Sequence, residues 1–388
     1  MEPMAAEKSG PSCVLPRAEF HRLFEVLQAE GYRVVGPAVR DGAIVYDVLG
    51  SETDLPIGWT DRQEAGRYRL ERRSDEALFG YNVGPHSWKK YLYPAHERLW
   101  TAERSEGSFT VRPAPEEFPK TAFLGIRACE LAAIEVQDRV FLGGVVDPGY
   151  AARRGRILKI AVQCGQSAPT CFCGSMGTGP GVERGFDLAV TELFGPDGHR
   201  FLIVAGSATG QDLVRALGAP PAPRAAEQEA ERLVAATAAS LVRSMPAEGI
   251  RERLAAAAQH PRWEEVARRC LSCANCTLAC PTCFCSTTEE VPDLSGDRVE
   301  RWRRWDSCFN LQFTSMHGAS SRASPSSRYR QWLTHKLSTW YDQFGQSGCV
   351  GCGRCITWCP VAIDITEEVR ALGEPVATPS DPARKEAP

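Results

Sequence analysis

Two stretches of this chain repeat one cysteine pattern. "CLSCANCTLACP" sets Cys270, Cys273, Cys276 and Cys280 at C-x2-C-x2-C-x3-C and follows them with Pro281. "CVGCGRCITWCP" does the same with Cys349, Cys352, Cys355, Cys359 and Pro360. Each run commits its backbone to a tight loop with three thiols turned toward one point, which few folds accommodate twice. This is the run that binds a [4Fe–4S] cluster: the triplet reaches three irons, and in two-cluster ferredoxins the fourth cysteine goes to the other cluster. The expected ligand sets are therefore Cys270, Cys273, Cys276 and Cys359 for one cluster, and Cys349, Cys352, Cys355 and Cys280 for the second. Structural zinc, the alternative, normally uses pairs of C-x2-C rather than triplets followed by C-P.

Eleven of the sixteen cysteines lie between Cys270 and Cys359, with Cys13, Cys129, Cys164, Cys171 and Cys173 upstream. Disulfide frameworks belong to small secreted chains, and this long one opens without an apolar leader segment, so metal binding and a cytoplasmic location are expected. No run of about 18 apolar residues suggests a membrane span. A net charge of −3 argues against nucleic-acid binding, which needs a strong positive field.

The pentapeptide "PTCFC" occurs at Pro169–Cys173 and again at Pro281–Cys285. With Cys129 and Cys164, the first copy supplies four thiols for a third [4Fe–4S] site. Spacing alone leaves buried reduced cysteines as the alternative, because C-x-C points its side chains to opposite faces of a strand. In a loop, both turn inward. The glycines of the following "GSMGTGPG" suit either close backbone approach to a cluster or a phosphate-cradling loop. In the second copy, Cys283 and Cys285 follow a motif whose ligands are already complete.

The rest of the chain divides by pattern. Residues 1–115 read as a mixed α/β region: "RAEFHRLFEVLQAEG" as a helix ending on Gly31, "YRVVGPAVRDGAIVYDVL" as a hairpin turning at Asp41-Gly42, and "GYNVGPHSWKKYLYP" as a packed surface loop rather than a docking loop. Residues 116–215 alternate strands and helices, with "AFLGI" running into a helix near Ala128 and strands in "RILKIAVQC", "GFDLAVTELF" and "HRFLIVAG". Residues 216–262 form an Ala- and Glu-rich helical connector. Residues 263–375 form the cysteine-rich domain, and 376–388 a disordered tail. The spacer between the two motifs is long, and its "RWRRWDSCFNLQF" and "RYRQWLTHKLSTWYDQFG" both read as helices. The expected fold class is α+β and multidomain, an N-terminal α/β domain followed by a helical dicluster ferredoxin-like domain. The arginines of Arg301–Trp305 suit offsetting thiolate charge or docking a partner, with an ordinary helical surface as the alternative.

The phrases "DLPIG", "GRYRL", "GPHSWKKYLYP", "GIRACELAAIEVQDRVFL", "DPGYAARR", "CFCGSMGTGPG", "CLSCANCTLACPTCFC" and "GCVGCGRCITWCPVAIDI" appear in this order over about residues 30–370. Together they resemble the iron–sulfur β subunits of cytoplasmic NiFe hydrogenase/sulfur reductase (sulfhydrogenase) complexes, a family that includes the electron-input subunit of anaerobic sulfite reductase. The resemblance adds weight to the third cluster. It also places family cysteines at Cys283, Cys285 and Cys308 without assigning them a metal. Where the family usually shows "RPCD", this chain has "RACE", keeping Cys129 but placing Glu130 after it. The resemblance implies a protein without substrate chemistry of its own. It would relay electrons between the large and small subunits of a NiFe hydrogenase and a third subunit that binds flavin and NAD(P). Three alternatives stand beside it: electron input to a sulfite reductase, a redox-sensing iron–sulfur protein, and an enzyme with flavin in its own N-terminal domain.

Overall fold

A computed structural model describes residues 10–105, 107–114 and 118–374. The expected tail at 376–388 lies outside the described residues. The first strands are β1 (Ser12–Pro16), β2 (Arg33–Arg40) and β3 (Ala43–Val48), with the helix His21–Ala29 between β1 and β2. Asp41 and Gly42 both take positive φ, 48° and 72°, which matches the right-handed twist of the β2–β3 hairpin they join. Next come a small hairpin of β4 (Trp59–Glu64) and β5 (Arg67–Arg72), and then β6 (His96–Ser105) and β7 (Ser108–Pro113). β8 (Thr121–Ile126), β9 (Ile157–Val162), β10 (Leu188–Gly195) and β11 (Gly198–Ala205) complete the upstream strands.

Seven of these strands form one sheet in the order β1-β11-β10-β9-β8-β2-β3. Its centre, from β10 through β9 and β8 to β2, is parallel, and antiparallel strands close both edges. Parallel strands are covered on both faces, and β8 is buried at every position. Its alternate residues feed two cores. Ala122 and Leu124 meet the helices His21–Ala29 and Ala208–Leu217, while Phe123 and Ile126 meet the helix Ala128–Leu142. Because β2 pairs with β8, the division expected at residue 115/116 falls inside this sheet. The Ala-rich connector forms the helix Arg224–Ala239, packed through Ala226 and Ala230 on Leu193 and Leu202 of β10 and β11.

"GPHSWKKYLYP" does not stay on the surface. Trp88, Leu92 and Tyr93 are buried around the short helix Lys89–Leu92, and Trp88 stacks on Tyr46 at 3.9 Å and on Phe123 at 4.5 Å. The aromatic area drives the segment inward.

The larger correction lies between the two cysteine motifs. "RWRRW" is not helical. It belongs to β13 (Arg298–Trp305), which pairs with β12 (Ser286–Pro292) on one side and with β6 on the other, giving the sheet β12-β13-β6-β7. Arg and Trp there serve a two-residue period. Arg303 points inward to Glu97, at 2.6 Å, and to Asp147, and Trp305 donates to the Tyr93 carbonyl at 2.9 Å. Trp302 stacks on His96 at 4.4 Å. Tryptophan fits a half-buried pleated surface well, and pairing with a distant strand settles the outcome. The second expected helix is present as Pro325–Thr334, a π-helical turn His335–Thr339, and Trp340–Phe344. Further helices, Arg262–Arg269, Asn275–Leu278, Arg354–Thr357 and Ile365–Leu372, surround the cysteine motifs. Among the described residues, no helix is long and apolar enough to cross a membrane.

Candidate iron–sulfur sites

The helix Arg262–Arg269 ends at Cys270, and the chain then curls. Ser272 and Ala274 take left-handed φ of 51° and 66°, which turns Cys270, Cys273 and Cys276 to one side. The Ser272 amide donates to Cys270 Sγ at 3.4 Å. Cys359 lines the same cavity as these three, and the Ile363 amide donates to its Sγ at 3.3 Å. The second run repeats the conformation, with Gly351 and Gly353 at φ 65° and 77° in the places of Ser272 and Ala274. The Gly351 amide faces Cys349 Sγ at 3.5 Å. Cys280 lies beside this triplet: its charge acts on Cys349, Cys352 and Cys355. In each motif, then, the fourth cysteine stands with the other motif's triplet.

The surroundings fit an anionic sulfur-rich group. Tyr329 and Trp332 line the first cavity, and among the described residues Tyr329 Oη and Trp332 Nε1 are buried with no hydrogen-bond partner. Orphaned buried donors are costly unless something accepts from them. Sulfide and thiolate are acceptors. At the second site, the π-helical turn carries Lys336 into the interior, where its Nζ sits 3.3 Å from Cys280 Sγ, 3.0 Å from Thr282 Oγ1 and 3.2 Å from the Gly348 carbonyl. Burial opposes the charge on Lys336, but the thiolates of Cys280, Cys283 and Cys349 outweigh it and hold the ammonium well above its usual range. A hydrogen bond from Cys283 is the first cause keeping the Cys280 thiol well below its ordinary value. All sixteen cysteines are free of disulfides. Among the described residues, no three His, Cys, Asp or Glu side chains close on one point as a single ion requires. A four-iron cluster instead asks its thiolates to stand around it.

The upstream cysteines also lie near one another and near the second run. Cys129 opens the helix Ala128–Leu142, Cys164 follows β9, and Cys171 and Cys173 lie in the turn leading into a 3-10 segment Cys173–Met176. Burial raises all four thiols, Cys173 to about 12. Cys171 feels Cys173 and Cys164, Cys173 feels Cys164, and Cys129 feels Cys173. Cys129, Cys171 and Cys173 also feel Cys352 of the second run. Of the "GSMGTGPG" glycines, Gly179 stands against this group: a Cβ there would lie 3.3 Å from Cys173 Sγ.

Sequence reasoning missed the residues that join these sites. Glu130 and Arg354, almost wholly buried, form an ion pair between the upstream cysteines and the second run. Glu130 also accepts from Tyr46 Oη at 2.7 Å, from Trp88 Nε1 at 3.1 Å and from the Arg127 amide at 3.1 Å. Arg354 donates to the carbonyls of Gly84 and His86, both at 2.9 Å. For Glu130 the sequence signal was its place after Cys129 in "RACE", and for Arg354 a charge inside the second motif. Cys13 stands apart in β1, packed as an apolar side chain with its thiol pushed by burial to about 11. Cys285 accepts from Cys308, which lowers it to about 7, and Lys89 lies buried close by with its Nζ 3.2 Å from the Cys283 carbonyl.

Residues 269–363 match the family described as the 4Fe-4S dicluster domain, so this segment is a two-cluster domain of the [4Fe–4S] kind. The chain is 32% identical over 265 residues to sulfhydrogenase 2 subunit beta of Pyrococcus furiosus, covering 66% of this chain and 74% of that protein. No solved structure matches it. The order of motifs, the paired cysteine loops and this likeness agree: the chain belongs to the family of iron–sulfur β subunits of sulfhydrogenases.

Proposed function

We propose that this chain is the electron-relay subunit of a cytoplasmic, NAD(P)-linked hydrogenase/sulfur reductase complex. Its partners would be NiFe catalytic subunits and a further subunit that binds flavin and NAD(P). Cys270, Cys273, Cys276 and Cys359 would hold one [4Fe–4S] cluster, Cys349, Cys352, Cys355 and Cys280 a second, and Cys129, Cys164, Cys171 and Cys173 a third. The observation that carries the reading is that the three thiol groups lie one beside the next, close to buried donors and a buried ammonium. When bound, such a cluster supplies reversible one-electron storage, tuned by charge, hydrogen bonds and burial. The chain's own residues set those terms. Tyr329 and Trp332 keep water from the first site and offer it donors, while Lys336 offsets thiolate charge at the second. The dicluster segment is read as the helical type, with β12 and β13 inserted between its motifs.

Iron and acid-labile sulfide analysis tests the ligands. The intact chain should carry about twelve irons, at four per cluster. Cys171→Ser and Cys273→Ser should each lose about four, and Cys283→Ser none. A Cys171→Ser protein that keeps all its iron would remove the third site. Isolation of the native complex tests the partners: nickel and NADPH-dependent hydrogen evolution support the reading, whereas siroheme and sulfite reduction replace it.

A further inference from the structure

We propose that the second and third cysteine groups form one coupled redox unit, clamped by the buried Glu130–Arg354 pair, so that electrons pass along the order third, second, first or its reverse. The inference rests on the reading of Cys129, Cys164, Cys171 and Cys173 as a third cluster site. The backbones of the two ligand loops touch. The Phe172 amide donates to the Gly351 carbonyl at 2.9 Å, and Thr178 Oγ1 to the Val350 carbonyl at 2.7 Å. A Cβ on Gly351 would lie 2.6 Å from Cys173 Cα, and one on Gly353 would lie 2.7 Å from the Thr170 carbonyl carbon. Thr357 Oγ1 donates to Thr170 Oγ1 at 3.0 Å across the same seam. The second and first groups adjoin on the other side, where Cys355 lines the first cavity. The second group is therefore the middle station.

The ion pair spans the seam between outer and middle stations. Glu130 follows Cys129 directly, and Arg354 sits between Cys352 and Cys355. Arg354 Nη1 is buried and has no partner among the described residues, which leaves one donor free for a sulfur acceptor. One carboxylate thus accepts from the Arg127 amide at the start of the third group's helix and neutralises the guanidinium carried between Cys352 and Cys355 of the second group. These are positioning residues. With clusters bound, each group would pass single electrons to its neighbour, and these two residues would hold the groups in place and set the charge between them.

The test is electron paramagnetic resonance of the dithionite-reduced full chain, with iron counted on the same sample. About twelve irons with mutually broadened or split signals is the expected result. Twelve irons with independent, unbroadened signals overturns the coupling, whereas about eight irons removes the third-site reading itself. Glu130→Gln uncovers the Arg354 charge and should raise the potential of one centre, by about tenfold in the reduced-to-oxidised ratio at fixed poise, or 59 mV for one electron. Glu130→Asp keeps the charge and should restore the potential. If both variants keep their iron and titrate like the parent, the pair has no such role. If Glu130→Gln loses iron, the parent's spin coupling still decides the proposal.

Discussion

The two cysteine loops share a backbone and differ in what surrounds it. Both place positive φ at the residue before the second cysteine and at the residue after it. The first loop does so with Ser272 and Ala274, although a side chain in that region costs about 1–2 kcal/mol. Its flank is open: Cys273 is exposed and Leu271 is 63% exposed. The second loop uses Gly351 and Gly353, and the third-site turn fills the space where their Cβ atoms would stand. Glycine there answers a lack of room as well as the φ angle. Identical motifs thus sit in two settings, one with an exposed flank and one enclosed by the upstream cysteine turn.

The sharpest way to break this comparison is to add one methyl group. Gly353→Ala should cost roughly 3 kcal/mol, because rigid backbone rather than a flexible side chain must yield. Thermal midpoint and iron retention would show it, and a change under about 0.5 kcal/mol would mean the loops are not in contact. A smaller effect should appear with pH in the iron-free chain. Burial raises the Cys173 thiol from 9.0 to about 12. Between those values the folded chain keeps a proton that the unfolded chain has released, so stability is full below pH 9 and falls as pH rises toward 12. The loss should be roughly 1 kcal/mol by pH 10, measurable by denaturant titration. Cys173→Ala should reduce that slope by this one thiol's share, the other buried thiols keeping theirs. The smallest effect belongs to the first loop. Ala274→Gly relieves left-handed strain but loosens the unfolded chain by a similar amount, so the net change should stay within about 0.5 kcal/mol.

What the sequence made legible was local. Asp41-Gly42 specified its hairpin, "AFLGI" specified a strand running into a helix, and the cysteine spacing located both loops. What it hid depends on partners far along the chain. β13 reads as a helix until β6 is known to lie beside it, about 200 positions away. Glu130 and Arg354 resemble surface residues until 224 positions of separation are folded out. The second "PTCFC" stayed ambiguous for the same reason: the role of Cys283 beside Cys280 depends on Lys336, delivered by a π turn that no residue pattern announces.

The strand between the two motifs also bears on inheritance. β13 needs the edge of β6, so residues 263–374 do not make a ferredoxin that could be lifted out whole. Cut free, that piece would present an unpaired strand edge rich in tryptophan and arginine, and such edges associate with one another. Any exchange of the cysteine-rich half between related chains must therefore carry the β6–β7 ribbon with it, or a ribbon of matching register. The two halves are constrained to change together.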